Sequence, residues 1–318
     1  MSLPETFYQN RNMYFADVYS RGMQMVPSFP IQGRYWFVKG GSGAAADDGT
    51  GGDDAGDGRS WTTAKRTMAD VFDELSSGDV VFFHGNIREE LSTPAGVFDV
   101  TVIGTGNRPR HADLHTTLGG YSGATWKTPA SPTAATPLLI VRQQGWRLVN
   151  FLMDGPSDAA ALQLFRDGGA DSAERDASHA HLVGMKFVAA QNHVEFKGGL
   201  SQVMVEGCDF FGATADSILE TVGAGIGTNN HHRFLNNHWH DNATHIDAAL
   251  NYATIKGNTF GKKSGDAIDL TGGSENVLWG NYFYGTYSNA GGYKAGTNDE
   301  WGGNYNSLTG GVTAADPA

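Results

Sequence analysis

Ile255-Lys-Gly-Asn-Thr-Phe260 and Leu278-Trp-Gly-Asn-Tyr-Phe283 are two copies of one phrase. Leu182-Val-Gly-Met-Lys-Phe187, Val205-Glu-Gly-Cys-Asp-Phe210 and Phe234-Leu-Asn-Asn-His-Trp239 precede them, and a weaker copy stands at Leu148-Val-Asn-Phe-Leu-Met153. Each runs apolar, variable, Gly or Asn, usually Asn, polar, then a large aromatic. Between first places the steps are 34 (148 to 182), 23 (to 205), 29 (to 234), 21 (to 255) and 23 (to 278) residues. A repeat of this length means stacked units that bury their apolar faces against one another, with loops of variable length absorbing the unequal steps. A second strand precedes each later phrase: His193-Val-Glu-Phe196, Asp216-Ser-Ile-Leu-Glu220, His245-Ile-Asp247 and Asp266-Ala-Ile-Asp-Leu270. The units lack a 3.6-residue period and are crowded with Gly, Asn and β-branched residues, which argues against a helical or leucine-rich solenoid.

Composition agrees with a turn-dense β structure. The 318 residues include 44 glycines, 18% are charged and 40% are hydrophobic. A solenoid needs only neighbour contacts, so one elongated body is expected rather than two domains. The formal charge of −12 opposes nucleic-acid binding, which draws on a basic face. No apolar run approaches the roughly 20 residues of a membrane span, and the first residues carry no signal-peptide pattern. The lone Cys208 excludes an internal disulfide framework and suits synthesis in a reducing cytoplasm.

Three regions follow. Residues 1–33 are rich in aromatics and Met, with Phe7, Tyr8, Tyr14, Phe15, Tyr19, Met23, Met25 and Phe29 as candidate contacts to a partner surface; folding back on the chain's own body is the alternative. Residues 34–290 hold the repeats, and 291–318 form a Gly/Asn/aromatic tail with Tyr293, Trp301 and Tyr305. Those aromatics suit stacking on sugars or packing between subunits. At the start of the central region Tyr35–Val38 reads as a strand, and Gly40–Gly58 as an acidic loop. Ser60-Trp-Thr-Thr-Ala64 then opens a helix capped by Thr62 or Thr63, with Met68, Val71, Phe72 and Leu75 on one face. Asp79–Phe83 and Val97–Ile103 read as further strands.

Trp36-Phe-Val38, the Asp/Gly loop, Ser60–Ala64, the helix and Gly78-Asp-Val-Val-Phe-Phe83 together resemble the opening of the pectate-lyase-like superfamily, over roughly residues 34–290. The resemblance implies an all-β, right-handed parallel β-helix with an N-terminal capping helix, here preceded by an extended arm. It also implies that Asn237, Asn258 and Asn281 form an asparagine ladder. Lyases, hydrolases, adhesins and virion proteins share this fold, so it leaves function open.

Candidate chemistry lies in three places. With Val194, Ile218, Ile246 and Ile268 inward, alternation turns Glu195, Asp247 and Asp269 outward, with Glu220 two places beyond an inward residue. Neighbouring coils about 4.8 Å apart suit a retaining glycosidase pair at Asp247 and Asp269; a solvated polar face is the alternative. His231, His232, His238, His240 and His245, near Asp241 and Asp247, offer metal ligands or a base, or merely line turns. Asp47, Asp48, Asp53, Asp54 and Asp57 offer a calcium site, or a plain acidic loop without cofactor. Between residues 190 and 285 the basic residues Lys197, Arg233, Lys256, Lys262 and Lys263 form no Arg-rich lyase motif, and Cys208 reads as a core residue. In layout the chain also resembles structural proteins of tailed-phage virions. That implies a capsid decoration, cement or protrusion protein, made in the host cytoplasm. It would dock on the major capsid protein or another virion protein through its arm and self-associate as a homotrimer. The alternative is a tailspike-like β-helix that binds or depolymerises a surface polysaccharide.

Overall fold

Each phrase is a strand, a corner and a second strand. In the Leu182 copy, His181–Val183 is followed by Gly184 and Met185, then by Lys186–Ala189. The computed structural model describes residues 33–41, 52–53, 55–106, 123–166, 175–221, 229–261, 266–284 and 293–306. The arm residues Phe7, Tyr8, Tyr14, Phe15, Tyr19, Met23, Met25 and Phe29, and the loop acids Asp47, Asp48 and Asp54, lie outside them. Three parallel sheets run the length of the stack. The first has 10 strands, from Tyr35–Lys39 to Glu300–Gly302. The second has 9, from Asn86–Ile87 to Tyr305–Asn306, and the third 8, from Leu91–Ser92 to Tyr293–Lys294. A complete coil contributes one strand to each, with partial coils at the two ends, and the molecule is a right-handed parallel β-helix. Among the described residues no helix is long and apolar enough to cross a membrane.

Every place in the phrase has a physical duty. First-place Leu148, Leu182, Val205, Phe234, Ile255 and Leu278 are buried in the core. Third-place residues turn the corner with positive φ: 58° at Gly184, 60° at Gly207, 55° at Asn236 and 67° at Gly257. Gly and Asn are the residues that tolerate this left-handed conformation.

Fourth-place asparagines are buried and bonded along the stack. The Asn258 amide nitrogen donates to Phe234 O at 2.8 Å and to Asn281 Oδ1 at 3.0 Å. Its Oδ1 accepts the Asn237 backbone N–H at 2.8 Å and the Asn237 amide at 3.1 Å. Asn281 repeats the pattern with Asn304, so the ladder runs one coil beyond the three residues expected. Cys208 occupies the preceding rung, buried, with its backbone N–H on Asn237 Oδ1 at 2.8 Å. Sixth-place Phe187, Phe210, Trp239, Phe260 and Phe283 stack with centroids 5.0, 5.0, 4.8 and 4.9 Å apart and planes within 14°. Burial of each contributes about 1.5–3 kcal/mol, with about 0.5–1.5 kcal/mol more per aromatic pair.

The structure departs from sequence expectation at the N-terminal end. The helix is short, Met68–Phe72, and its cap is Thr67, whose side chain accepts from Asp70 N. Residues near Thr62 and Thr63 serve another purpose: Thr63 O accepts from Gly58 N, and Lys65 N donates to Phe37 O, so the backbone is drawn alongside the first strand. The helix N-terminus is completed by Glu89, whose oxygens accept from Met68 N and Ala69 N at 2.8 Å each. Phe72 closes the end of the core against Trp126 and Trp146. The next expected strand, Val97–Ile103, starts late and runs over Thr101–Gly104, after a left-handed turn at Asp99, φ 57°. At the other end a boundary at residue 290 cuts through the stack. Tyr293–Lys294, Glu300–Gly302 and Tyr305–Asn306 pair in parallel with the coil before them.

Candidate functional site

Two outward faces carry chemistry. On the third sheet the register sets Val194, Ile218, Ile246 and Ile268 in one inward column. The outward column beside it reads Gln163, Glu195, Leu219, Asp247, Asp269 and Lys294. Asp247 and Asp269 are therefore neighbours, and Glu195 is separated from Asp247 by Leu219. Glu220 does not join them. It lies in register with Phe196 on the inward side, where its carboxylate accepts from the Asn229 amide and burial raises its pKa. Lys294 bridges Asp266 at 2.8 Å and Asp269 at 2.7 Å. Burial would lift Asp269, but the bonds from Lys294 and Thr271 outweigh it and hold the carboxyl below its usual range. Asp247 has no such tie; burial first, then Asp216 and Asp269, push it up. The two environments thus drive the acids apart, as an acid and a nucleophile require. Farther along, Asp158, Gln163, Glu195, Lys197, Asp216 and Leu219 line a groove of about 470 Å³.

The second sheet presents a different face. Alternation puts the fifth and seventh places of the phrase outside while the sixth-place rings point in. Coil after coil the fifth place reads Lys186, Asp209, His238, Thr259, Tyr282 and Tyr305. The seventh reads Val188, Phe211 and His240, with Tyr284 at the same place in the copy that begins at Leu278. Lys186, Asp209, His238, His240 and Tyr284 among them form one polar cluster. Asp209 Oδ2 is 2.9 Å from Lys186 Nζ, a lysine with no exposed surface. Asp209 Oδ1 lies 3.3 Å from His238 Nδ1 and 3.4 Å from His240 Nε2. The far nitrogens are held too: His238 Nε2 is 2.9 Å from Tyr284 Oη, and His240 Nδ1 is 3.3 Å from Asp241 Oδ2. Burial alone would raise the Asp209 pKa, but the two imidazoles and Lys186 hold it far below the carboxylate range. Burial, with Asp241 and Asp209 nearby, raises the Tyr284 phenol. The ligand atoms of Asp209, His238 and His240 lie within 4.8 Å of one another.

The remaining expected residues are dispersed. Exposed His231 stacks on Tyr252, 5.1 Å between centroids. His232 is buried and accepts the Val203 N–H at 3.1 Å through Nδ1. His245 is buried between Asn242 and Gly261 O, at 3.1 and 2.9 Å. Of the histidine run only His238 and His240 meet. In the acidic loop Asp53 accepts from Ala55 N at 3.0 Å and Asp57 from Arg59 N at 2.9 Å, so both described acids fasten turns. The Asp57 pKa is lowered by the Thr63 hydroxyl first and the Arg59 N–H second.

Lys186, Asp209 and Tyr284 were not singled out from sequence. Their signal was the polar fifth place of the phrase, together with the seventh. The same column continues into exposed aromatics. Tyr282 and Tyr305 stack at 5.3 Å with planes 10° apart, and they are 37% and 38% exposed. An aromatic strip thus leads to the charged cluster along one face.

No protein-family model and no curated protein matches this chain at the level of sequence. Among solved structures it is similar to the pectate lyase Pel9A, with 10% identity, a TM-score of 0.53, and 89% of this chain and 82% of that one covered. An alginate lyase from Paenibacillus sp. str. FPU-7 aligns at 11% identity and TM-score 0.47, covering 74% and 93%. The Dettilon tailspike protein aligns at 11% identity and TM-score 0.35, covering 76% and 64%. At these identities the first of these likenesses establishes the parallel β-helix and no more.

Proposed function

We propose that the chain binds a polysaccharide strand along the outer face of its second sheet and depolymerises it at the Asp209–His238–Tyr284 relay. The observation that carries this reading is the single column joining Tyr305 and Tyr282 to His238, Asp209 and Lys186. Coils repeat every ~4.8 Å, close to the length of a pyranose, so a strand lying parallel to the axis meets one side chain per sugar. Aromatic rings offer apolar faces to sugars. Asp209 orients His238 through Nδ1, and Nε2 is placed to take the phenol proton of Tyr284. This is general acid–base catalysis by a positioned pair. Asp209 is held ionised, so it is no proton donor, and its two oxygens are engaged by Lys186, His238 and His240 rather than turned to a sugar. The chemistry favoured here is therefore elimination: Tyr284 removes the proton beside a uronate carboxylate as its own phenol proton passes to His238. The glycosidic bond to the neighbouring carbon breaks with its electrons on the departing oxygen, and that oxygen takes the proton from Tyr284 while His238 returns its own. That a fold neighbour is a pectate lyase supports the reading without carrying it.

The test is a panel of uronate polysaccharides, scored by the ultraviolet absorbance of the unsaturated sugar end. Tyr284→Phe and His238→Gln should abolish it, and Tyr282→Ala with Tyr305→Ala should raise KM more than they lower kcat. A Tyr284→Phe protein cleaving at the wild-type rate would defeat the reading. The opposed pKa shifts of Asp247 and Asp269 support a second one, hydrolysis on the third sheet. It predicts reducing-sugar release without unsaturation, lost in Asp247→Asn or Asp269→Asn. A virion-surface role through residues 1–33 is a separate proposal, compatible with a glycan-binding face. Deletion of those residues should abolish co-sedimentation with capsids, and particle binding by the truncated chain would refute it.

A further inference from the structure

The same cluster has the layout of a metal centre. We infer that Asp209, His238 and His240 form a site for a divalent transition metal of the zinc type, with two imidazoles and one carboxylate as ligands. His238 and His240 are two apart on one strand, so their rings point to the same side, with centroids 4.8 Å apart. Asp209 faces them from the adjacent coil through one oxygen only. Lys186 occupies Oδ2, which leaves Oδ1 turned toward both imidazoles at 3.3 and 3.4 Å. Tetrahedral zinc with bonds of about 2.0–2.1 Å separates its donors by about 3.3 Å, so both carboxylate-to-imidazole edges already have the required length.

The outer contacts point the same way. Metal-bound histidines usually fix the other ring nitrogen on a carboxylate or another polar group, which sets the tautomer and raises basicity. His240 Nδ1 faces the Asp241 carboxylate at 3.3 Å, and His238 Nε2 faces Tyr284 Oη at 2.9 Å. With Asp241 accepting from Nδ1, His240 meets Asp209 through Nε2. That approach attracts a carboxylate only when a proton or a metal lies between them. Two nitrogens and one oxygen favour zinc or a neighbouring transition metal over calcium, which takes six to eight oxygens. A three-ligand set also keeps a coordination position for water or substrate. A metal on Nδ1 leaves the His238 proton on Nε2, donated to the Tyr284 oxygen, so loading alters the relay proposed above while its own evidence is independent of it.

The probes are Zn2+ for calorimetry and Co2+ for visible absorption, added to the tag-free full chain at neutral pH. One equivalent should bind saturably, with proton release seen as a buffer-dependent heat, and Co2+ should give the intense bands of a four-coordinate site. His240→Ala should lose the site, and Asp241→Asn should weaken it about 10–100-fold, while His231→Ala binds as wild type. Circular dichroism checks that each variant is folded. If His240→Ala fails to fold, Asp241→Asn and the wild-type Co2+ spectrum decide. Absence of saturable binding, or binding undiminished in both cluster variants, overturns the site and leaves a charged network. Metal binding without glycan cleavage sustains this inference and sinks the relay; cleavage without metal binding does the reverse.

Discussion

Asn258→Ala tests the ladder most directly. The substitution removes the donor to Phe234 O at 2.8 Å and to Asn281 Oδ1 at 3.0 Å, and the acceptor of the Asn237 N–H at 2.8 Å. Asn281 Oδ1 keeps the Asn258 backbone N–H at 3.0 Å, and the Asn237 amide keeps Val205 O at 2.8 Å. One buried main-chain group, the Asn237 N–H, is then stranded, while Phe234 O keeps its place in the parallel ladder with the next coil. A stranded buried group costs about 1–3 kcal/mol, so the expected loss is about 1–3 kcal/mol, set against the roughly 5–15 kcal/mol that holds an ordinary domain. Guanidinium unfolding followed by tryptophan fluorescence reads it, because Trp239 stacks on Phe260, two residues from the substitution. Exposed Lys256→Ala is the control. Asn258→Asp separates the two halves of the amide: it keeps the acceptor but sets a carboxylate against Phe234 O and Asn281 Oδ1. Its destabilisation should therefore ease as acid protonates the carboxyl. A loss under about 1 kcal/mol in Asn258→Ala, level with the control, would refute the assignment of main-chain satisfaction to the ladder.

Cys208→Asn should extend the ladder by one rung. The Cys208 thiol already points at Leu182 O, 3.5 Å away, the counterpart of the carbonyl that Asn237 uses, so a gain of about 0.5–1.5 kcal/mol is expected in the same unfolding assay; a loss would show that the pocket rejects the amide. Acid should weaken the fold well before carboxylates titrate. Burial lowers the pKa of His193 and His232 to about 3 and of His181 to about 4, from 6.5. The unfolded chain then binds protons that the folded chain refuses, so their contribution is intact above 6.5 and falls away as pH drops toward 3–4. One pH unit below 6.5 each costs about 1.4 kcal/mol, and equal stability at pH 7 and 5.5 would count against it. Lys294→Met should raise the Asp269 pKa, since the lysine lies 2.7 Å away and holds it down. Carboxyl NMR titration reads the shift, and an unmoved Asp269 would mean that Thr271 alone suffices.

The stack was legible because the phrase spells its own geometry. Gly or Asn at the third place announced a corner, Asn at the fourth a ladder, and an aromatic at the sixth a column of rings. The inward isoleucines of the third sheet were also readable, and with them the adjacency of Asp247 and Asp269. Glu220 misled because a glutamate suggests an outward place. Alternation from Ile218 instead sends Leu219 out and Glu220 in, where the Asn229 amide receives it. The Lys186–Asp209–His238 column stayed hidden for a related reason. Each residue is unremarkable inside its own phrase, and charge complementarity arises only when coils separated by loops of unequal length are laid in register. The helix cap was missed because pairing of Lys65 with Phe37 competes with local capping propensity, and tertiary pairing wins.

The two final ladder steps, Asn258 to Asn281 and Asn281 to Asn304, are both 23 residues, with the same bonds repeated at each. A coil of that length carries its own corner, amide and ring, and needs from its neighbour only the groups that it also offers. The stack is therefore modular: an in-frame duplication of residues 255–277 supplies a unit that fits between its parents, lengthening the molecule by ~4.8 Å. Reach along the axis can change in such quanta: Asp209, His238 and His240 lie before the inserted unit and keep their geometry, whereas Tyr284 is carried one coil away from His238.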